Sequence, residues 1–158
     1  MATKKMTRAD YVKVIEKKYF ASVMKQNYDA VLANFTEDAR VTIYHGDNPV
    51  PIFVKHQKGK QQSFKVFYGH LFDNYLVNFG KYNTVVDVAN KKAAATFTPH
   101  LKPKKGSAYK KAGDLHLNNC NFFWFRSDKI ADMIIYYANP TLGKKLGLDP
   151  KMPTAFPK

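Results

Sequence analysis

The fold is decided by residues 114–138, which read DLHLNNCNFFWFRSDKIADMIIYYA. Two runs within this stretch, 114–125 and 130–138, are rich in aromatic and branched apolar residues, and the polar turn Arg126-Ser127-Asp128-Lys129 separates them. Apolar side chains alternate along both runs, which is typical of β-strands, and the short turn predicts that the two strands pair as an antiparallel hairpin.

Two runs upstream have the same period of two. Residues 76–89 and 93–101 alternate in the same way, and they are bounded by Asn90-Lys91-Lys92 and by a lysine-rich loop. Together with the hairpin they predict an antiparallel meander of four strands. Strands of this length are long for a small domain, and a sheet built from them must twist, so one of its faces becomes concave.

The first half of the chain is predicted to be mainly helical. Residues 7–26 begin with a capping signal, Thr7 followed by Asp10, and then place an apolar side chain at every fourth position. That stripe consists of Tyr11, Ile15, Tyr19 and Val23. Shorter elements are predicted as helices over 27–35 and 59–75 and as strands over 39–45 and 52–55. The whole pattern predicts an α+β fold, in which a curved antiparallel sheet wraps around three helices of the N-terminal half.

The composition indicates one domain. The chain has 158 residues, of which 45% are hydrophobic, so we expect a single unit over 1–158 with a flexible start (1–6) and an extended C-terminal arm (139–158). One cysteine, Cys120, cannot form an internal disulfide. There is no apolar run of about 20 residues and no signal sequence at the start, so we expect no membrane partner and a cytoplasmic location.

The net charge of +14 makes a polyanion a conceivable partner. Only Arg8, Arg40 and Arg126 are arginines among the 26 basic residues, and lysine lacks the forked geometry with which arginine recognises phosphates and bases. The densest cluster, Lys102, Lys104, Lys105, Lys110 and Lys111, is interpreted as a solvated hairpin loop. We therefore expect nonspecific charge attraction to nucleic acid and no specific binding.

Three local patterns carry a resemblance to a known superfamily. They are YDAVLANFTEDA at residues 28–39, the pair Phe67-Tyr68, and Phe123-Trp124-Phe125 followed by Lys129-Ile130. With the order of elements, they resemble the nuclear transport factor 2-like superfamily, which includes ketosteroid isomerase and SnoaL-type polyketide cyclases. The resemblance covers roughly residues 10–139. It implies a cone-shaped cavity that holds a small apolar molecule, and we expect a homodimer through the outer face of the sheet.

The comparison with ketosteroid isomerase implies roles for individual residues. Tyr19 matches the oxyanion tyrosine, Tyr68 matches its supporting tyrosine, and Asn121 matches a protonated aspartate, whose donor role an amide can keep. Ile43 stands where that family has its carboxylate base, so steroid isomerisation by the family mechanism is not expected. His45 shares the side of the strand that carries Ile43, and imidazole exchanges protons near neutral pH, so His45 is the candidate base.

The cavity wall follows from the same alignment and from strand alternation. Its predicted ligand-binding residues are Ile43, Phe67, Tyr68, Phe97, Phe123, Met133, Ile135 and Tyr137. Alternation puts Asn119, Asn121 and Phe123 on one face of their strand and Asp114 and His116 on the other. Phe123 and the match at Asn121 favour the first set as the inner one, which leaves Asp114 and His116 on the outer face or at a subunit contact. His100 is expected at the surface, whereas both a cavity position and a surface position are open for His70.

Three functions remain open at this stage. The first is an isomerase, lyase or cyclase that moves a proton with Tyr19 and Asn121 as donors, and the second is a binding protein without catalysis. The third is a basic module that binds a polyanion or a protein. We expect no cofactor and no metal, because no glycine-rich phosphate loop, nucleophile elbow or HExxH spacing is present.

Overall fold

The computed structural model describes residues 5–46, 48–57 and 62–141. Helix α1 is continuous through the segments Arg8–Val12, Lys13–Phe20 and Ala21–Met24, of which the middle one is π-helical. The predicted cap is confirmed, because the Asp10 amide donates to the Thr7 hydroxyl and the Thr7 amide donates to the Asp10 carboxylate. The other helices are α2, Tyr28–Leu32, and α3, Phe64–Asn74.

The second and third helices are shorter than predicted. Helix α2 begins after the cap residue Asn27, whose side-chain oxygen accepts from the Ala30 amide, but it ends at Leu32 because Phe35 already starts a strand. Helix α3 starts at Phe64, and residues 59–61 of the predicted span lie outside the described residues.

Eight strands form one sheet with the order β3-β2-β1-β8-β7-β5-β4, and β6 pairs with β5. They are β1 Phe35–Tyr44, β2 Ile52–Val54, β3 Gln62–Ser63, β4 Tyr75–Asp87, β5 Lys92–Pro103, β6 Leu115–His116, β7 Asn118–Arg126 and β8 Lys129–Ala138. A 3₁₀ turn, Lys110–Ala112, lies in the loop after β5. The helices and the curved sheet confirm the α+β fold.

The sheet is mixed, which corrects the expectation of a purely antiparallel one. The meander from β4 to β8 is antiparallel as predicted, but β1 runs parallel to β8, and β2 runs parallel to β3. Parallel neighbours need a long connection, and here α3 and the whole meander lie between β1 and β8 in the chain. The path of that connection decides whether β1 and β8 run parallel or antiparallel. The alternation of apolar residues along a strand carries no information about this path.

Irregularities in the ladders bend the sheet around the helices. The pairing shifts register at Phe35/Arg40 in β1, at Gly80/Asn83 in β4 and at Trp124/Phe125 in β7. Such bulges increase the local twist of a strand. The predicted long strand 114–125 is also divided, since Leu117 separates β6 from β7 and its amide donates to the Pro99 carbonyl at 2.9 Å.

Odd-numbered residues of β1, β5, β7 and β8 face α1, and the register aligns them in rows across the sheet. The deepest row is Val41, Met133, Phe123 and Ala93, and the next is Ile43, Ile135, Asn121 and Ala95. A third row, nearer the open end, is Tyr137, Asn119 and Phe97. These rows are therefore mainly apolar, and their two amides are Asn119 and Asn121.

The ends of the chain are only partly described. Residues 1–4 of the predicted flexible start and 142–158 of the predicted arm lie outside the described residues. The Thr141 hydroxyl donates to the His116 carbonyl and accepts from the His116 amide. Within the described ranges, no helix combines the length and the apolar character needed to cross a bilayer.

A pair of valine substitutions tests the packing of the helices. Val31 in α2 is fully buried, whereas Val66 in α3 is 52% exposed. Val31→Ala should lower the free energy of unfolding by about 2 kcal/mol, because it removes buried methyl groups and leaves a cavity. Val66→Ala should change it by less than about 0.5 kcal/mol. Urea denaturation of both variants measures the difference, and equal effects would contradict the described orientation of these helices.

Candidate functional site

A cavity of about 340 Å³ lies between α1, α3 and the concave face of the sheet. Its volume is at the lower end of the range of roughly 300–1,000 Å³ typical of small-molecule pockets. Most of the predicted site residues line it, namely Tyr19, Ile43, Phe67, Tyr68, Phe97, Asn121, Ile135 and Tyr137. Aliphatic and aromatic side chains make up most of the remaining wall.

Three predicted site residues do not line the cavity. Phe123 and Met133 are fully buried, because they belong to the deepest row of the sheet, which α1 covers. The ring of His45 stacks on the ring of Tyr137 with centroids 4.2 Å apart, and its Nδ1 lies 3.1 Å from Asn48 Nδ2. Tyr137, and not His45, therefore contributes to the wall at this position.

The polar feature of the helical side is a pair of tyrosines. The hydroxyl oxygens of Tyr19 and Tyr68 lie 3.0 Å apart, and either can donate to the other. Tyr19 is 3% exposed and Tyr68 is 1% exposed. Burial raises the pKa of both phenols well above the usual value, although the hydrogen bond from Tyr68 partly lowers that of Tyr19. Both hydroxyls are therefore protonated at neutral pH, and while one donates within the pair, the other can donate to a ligand.

Tyr19 of α1 is held in position by two aromatic rings of the sheet. Its ring packs edge-on against Phe35 of β1 at 5.4 Å and against Phe123 of β7 at 6.1 Å. Tyr19 belongs to the π-helical segment of α1, a conformation that occurs frequently at functional sites. Such packing holds the hydroxyl in one place without a charged neighbour.

The polar feature of the sheet side is a pair of amides, Asn119 and Asn121. Asn121 is 2% exposed, and its Nδ2 lies 3.8 Å from Met133 Sδ, to which it donates a weak hydrogen bond. The amide hydrogens that the sequence assigned to a ligand thus point in part at a core thioether. The Oδ1 atoms of both asparagines are buried and have no hydrogen-bond partner among the residues that the structure describes.

One end of the cavity lies beside α3, where His70 is exposed, and the lysine-rich loop packs there from outside the wall. His70 and Tyr75 line the cavity there, and the ring of Tyr109 packs against both, with centroids 5.5 and 5.7 Å away. The loop is less solvated than predicted, because Lys104 Nζ donates to the Phe72 carbonyl and to Gln26 Oε1. A lysine placed on the last carbonyls of a helix stabilises its C-terminal end.

Ionisable groups of the wall are few. Among the described residues, no Asp or Glu lines the cavity, and Ile43 occupies the place of the family's base on β1. His70, whose position the sequence left open, supplies an imidazole to the wall. His45 stays the base that the sequence predicts, although it lies behind Tyr137.

Sequence reasoning missed several residues of the wall. They include Val23, Leu71, Tyr75, Phe79, Pro99, Leu101, Leu115 and Leu117. A signal was present for those in β5, because Pro99 and Leu101 share the face of Phe97, two and four residues away. Leu71 and Tyr75 lie on α3 and just after it, one and two turns beyond Phe67.

Two histidines lie on the outer face, as predicted. His100 and His116 stack with ring centroids 4.3 Å apart, and His100 Nε2 lies 2.8 Å from a carboxylate oxygen of Asp114. In the part of the chain that the structure describes, no three His, Cys, Asp or Glu side chains are grouped closely enough to hold a metal ion.

The geometry is similar to that of several solved proteins, whereas by sequence the chain matches no family model and no curated protein. PrhC from Penicillium brasilianum superposes with a TM-score of 0.69 at 15% identity over 90% of this chain and 87% of that one. BvnE pinacolase from Penicillium brevicompactum gives 0.65 at 11% identity over 89% and 94%. SalBIII, an epoxide hydrolase/cyclase-like enzyme of pyran ring formation in salinomycin, gives 0.62 at 16% identity over 82% and 92%.

The fold is the α+β cone that the resemblance to the nuclear transport factor 2-like superfamily predicts, and one solved protein that matches it is described as having a cystatin-like fold. Some of the similar structures are described as cyclase-type or isomerase-type enzymes, and that description applies to those proteins. At these identities the similarity establishes the fold alone.

The raised pKa values predict a loss of stability in alkali. Tyr19 and Tyr68 stay protonated in the folded state above pH 10 but ionise when the chain unfolds, so folding becomes less favourable as the pH rises. The ionisation of each phenol in the unfolded chain should lower the free energy of unfolding by about 1.4 kcal/mol between pH 9 and pH 11. In urea denaturation, Tyr19→Phe and Tyr68→Phe should each lose less stability over this range than the wild type, with Tyr136→Phe on the outer face as the control. Identical losses in all four proteins would contradict the buried phenol pair.

Proposed function

We propose that the protein binds a compact, largely apolar carbonyl or phenol compound in its cavity and moves a proton on it, in an isomerase, lyase or cyclase type of reaction. The observation that carries the proposal is the buried pair of neutral hydroxyls, Tyr19 and Tyr68, at the wall of an apolar cavity. Hydrogen-bond donors that are already in place in a dry site stabilise negative charge developing on a substrate oxygen.

The two hydroxyls work as a relay in this proposal. Tyr68 donates to Tyr19, and Tyr19 donates to the substrate oxygen, so that charge arriving on that oxygen is shared by two polarised bonds. A base removes a proton from the carbon next to the carbonyl, and the electron pair moves to the oxygen to give an enolate. A proton then returns to the same or another carbon, or the carbonyl re-forms while a leaving group departs from the β carbon with its bonding electron pair.

Two histidines are candidates for the base. His70 lines the open end of the cavity, which favours it. His45 was assigned from the sequence, and in this proposal it acts only if the Tyr137 ring moves aside. Asn121 was predicted as a second donor, but its Nδ2 faces Met133 Sδ, so in this proposal Tyr19 is the donor to the substrate oxygen.

Hydrogen exchange on a simple ketone tests the proposed chemistry. We expect the protein to accelerate the incorporation of deuterium from D₂O into the methyl group of 2-acetylnaphthalene, measured by mass spectrometry. Tyr19→Phe should slow this exchange about 10²-fold, because one oxyanion donor is lost. His70→Gln should slow the exchange more than Tyr19→Phe does. His45→Gln is the matched control, because it removes the other candidate base.

Binding without exchange distinguishes the alternative function. If isothermal titration calorimetry shows that 2-acetylnaphthalene binds more tightly than 2-ethylnaphthalene, but no deuterium enters, then the protein is a non-catalytic binding protein. The absence of carboxylates from the described wall favours this alternative. If neither compound binds, the proposal is wrong.

We also propose that the outer face of the sheet pairs with a second copy of the chain. One outward row, which crosses six strands, consists of Ile52, Thr42, Ile134, Phe122, Ala94 and Val85. Phe122 is 39% exposed, Ile52 44% and Val85 58%. The Arg40–Asp132 ion pair lies in the adjacent row, so the apolar strip is bordered by charges of both signs, as a self-complementary interface requires.

Sedimentation velocity tests the pairing. The wild type should sediment as a dimer, and Phe122→Arg and Ile134→Arg should each shift it toward the monomer, because a charge would be buried between the copies. Leu76→Arg, at an exposed position of the edge strand β4, is the control and should remain dimeric. A monomeric wild type at all concentrations would refute the interface.

A further inference from the structure

Two amide oxygens in the cavity wall lack the partner that a buried acceptor needs. Asn119 Oδ1 and Asn121 Oδ1 are out of reach of water, and neither has a hydrogen bond within the described residues. An unpaired acceptor in an apolar interior is costly, and most buried polar atoms in folded proteins are paired. The two oxygens therefore need an explanation.

The other buried polar residues of the described ranges, Asn34 and Thr84, have paired side chains. Asn34 Nδ2 donates to the Ala30 carbonyl at 2.7 Å, and the Thr84 hydroxyl donates to Glu16 Oε1 at 2.7 Å. Both lie away from the cavity wall, which contains Asn119 and Asn121. The unpaired acceptors thus coincide with the candidate site and do not occur throughout the core.

The strand register places the two amides side by side. They are two residues apart on β7, so their Cα atoms are separated by roughly 6.7 Å along the strand and their side chains share one face. Their in-register neighbours on both adjacent strands include Ile135, Tyr137 and Phe97, which also line the cavity. The phenol of Tyr137 lies in the row opposite Asn119, but among the described residues no hydrogen bond reaches either amide oxygen.

The orientation of the Asn121 amide is decided by Met133. With Nδ2 toward the thioether sulfur, the amide makes a weak hydrogen bond, whereas the flipped amide would place two acceptors against each other. The oxygen is therefore the atom left for a ligand, in contrast to the donor role that the sequence resemblance implied.

We propose that Asn119 and Asn121 recognise hydroxyl groups of the ligand, so that the substrate class is a hydroxylated carbonyl compound. Tyr19 donates to the carbonyl oxygen, and on binding the two amides turn their oxygens toward the cavity, where they accept from the ligand's O–H groups. This inference rests on the proposed function, because it assigns the ligand of the same cavity. The expected ligand has one hydrogen-bond acceptor and one or two donors on an apolar body. This pattern would let the cavity select among compounds of equal size.

A binding cycle tests the recognition of hydroxyl groups. 2-Naphthol carries one O–H donor, and 2-methoxynaphthalene presents a similar body without it. We expect the wild type to bind 2-naphthol more tightly, and Asn121→Leu or Asn119→Leu to weaken that binding about tenfold while leaving the methyl ether unchanged. Asn118→Leu is the matched control, because Asn118 is on the same strand but faces outward.

The stability of the free protein gives a second readout. Removing an unpaired buried amide should stabilise the empty protein, so Asn121→Leu and Asn119→Leu should raise the midpoint of urea denaturation, whereas Asn118→Leu should not. A structural role for the amides would lower the midpoint in both variants and would overturn the inference.

The outcomes separate the two proposals. If none of the naphthalene compounds binds the wild type, the proposed function fails. If they bind but 2-naphthol and its methyl ether bind equally, or if the leucine variants bind 2-naphthol as tightly as the wild type, the hydroxyl recognition fails while the binding function stands.

Discussion

The register of the curved sheet is the constraint on which the rest of the structure depends. Because β1, β8, β7 and β5 pair in register, their odd-numbered residues form rows of decreasing depth beneath α1. The deepest row, with Phe123 and Met133, meets the helix and is filled, whereas the rows with Asn121 and Asn119 meet empty space. A shift of one residue in any of these pairings would turn the cavity wall to the outer face. The position of the site is therefore a property of backbone pairing and does not depend on any one side chain.

The polar groups of the wall are retained at a cost in stability. Burying the hydroxyls of Tyr19 and Tyr68 is offset by their mutual hydrogen bond, but the oxygens of Asn119 and Asn121 lack such an offset within the described residues. Leucine or phenylalanine at these positions would pack without that penalty. Proteins commonly keep destabilising groups where function needs them, because selection acts on activity once stability is sufficient. The unpaired amides are thus more informative about function than the paired tyrosines.

The sequence predicted much of the fold because period and capping are local properties. The apolar stripe and the strand alternation put Tyr19 and Asn121 on defined faces, and the family resemblance then implied the cavity positions at which the structure has them. The parallel pairing of β1 with β8 depends on the path of the intervening chain, and the position of Phe123 behind the wall depends on how far α1 reaches. His45 shows a further limit, because alternation gave the correct strand but could not show that Tyr137 covers the ring.

The chain as a whole is strongly charged, whereas the described cavity wall has few ionisable groups. This contrast limits the kinds of reaction that the cavity can support. The chain carries a net charge of +14, yet the described wall has no carboxylate or lysine, and its donors are phenols kept neutral by burial. Neutral donors stabilise an oxyanion through hydrogen bonds alone, which lowers the barrier for carbon acids that are already activated by a carbonyl or an aromatic ring. Imidazole is in general a weaker base than proton removal from unactivated carbon requires. The cavity is therefore suited to substrates whose own structure delocalises charge, in which the protein orients the reacting groups and excludes water.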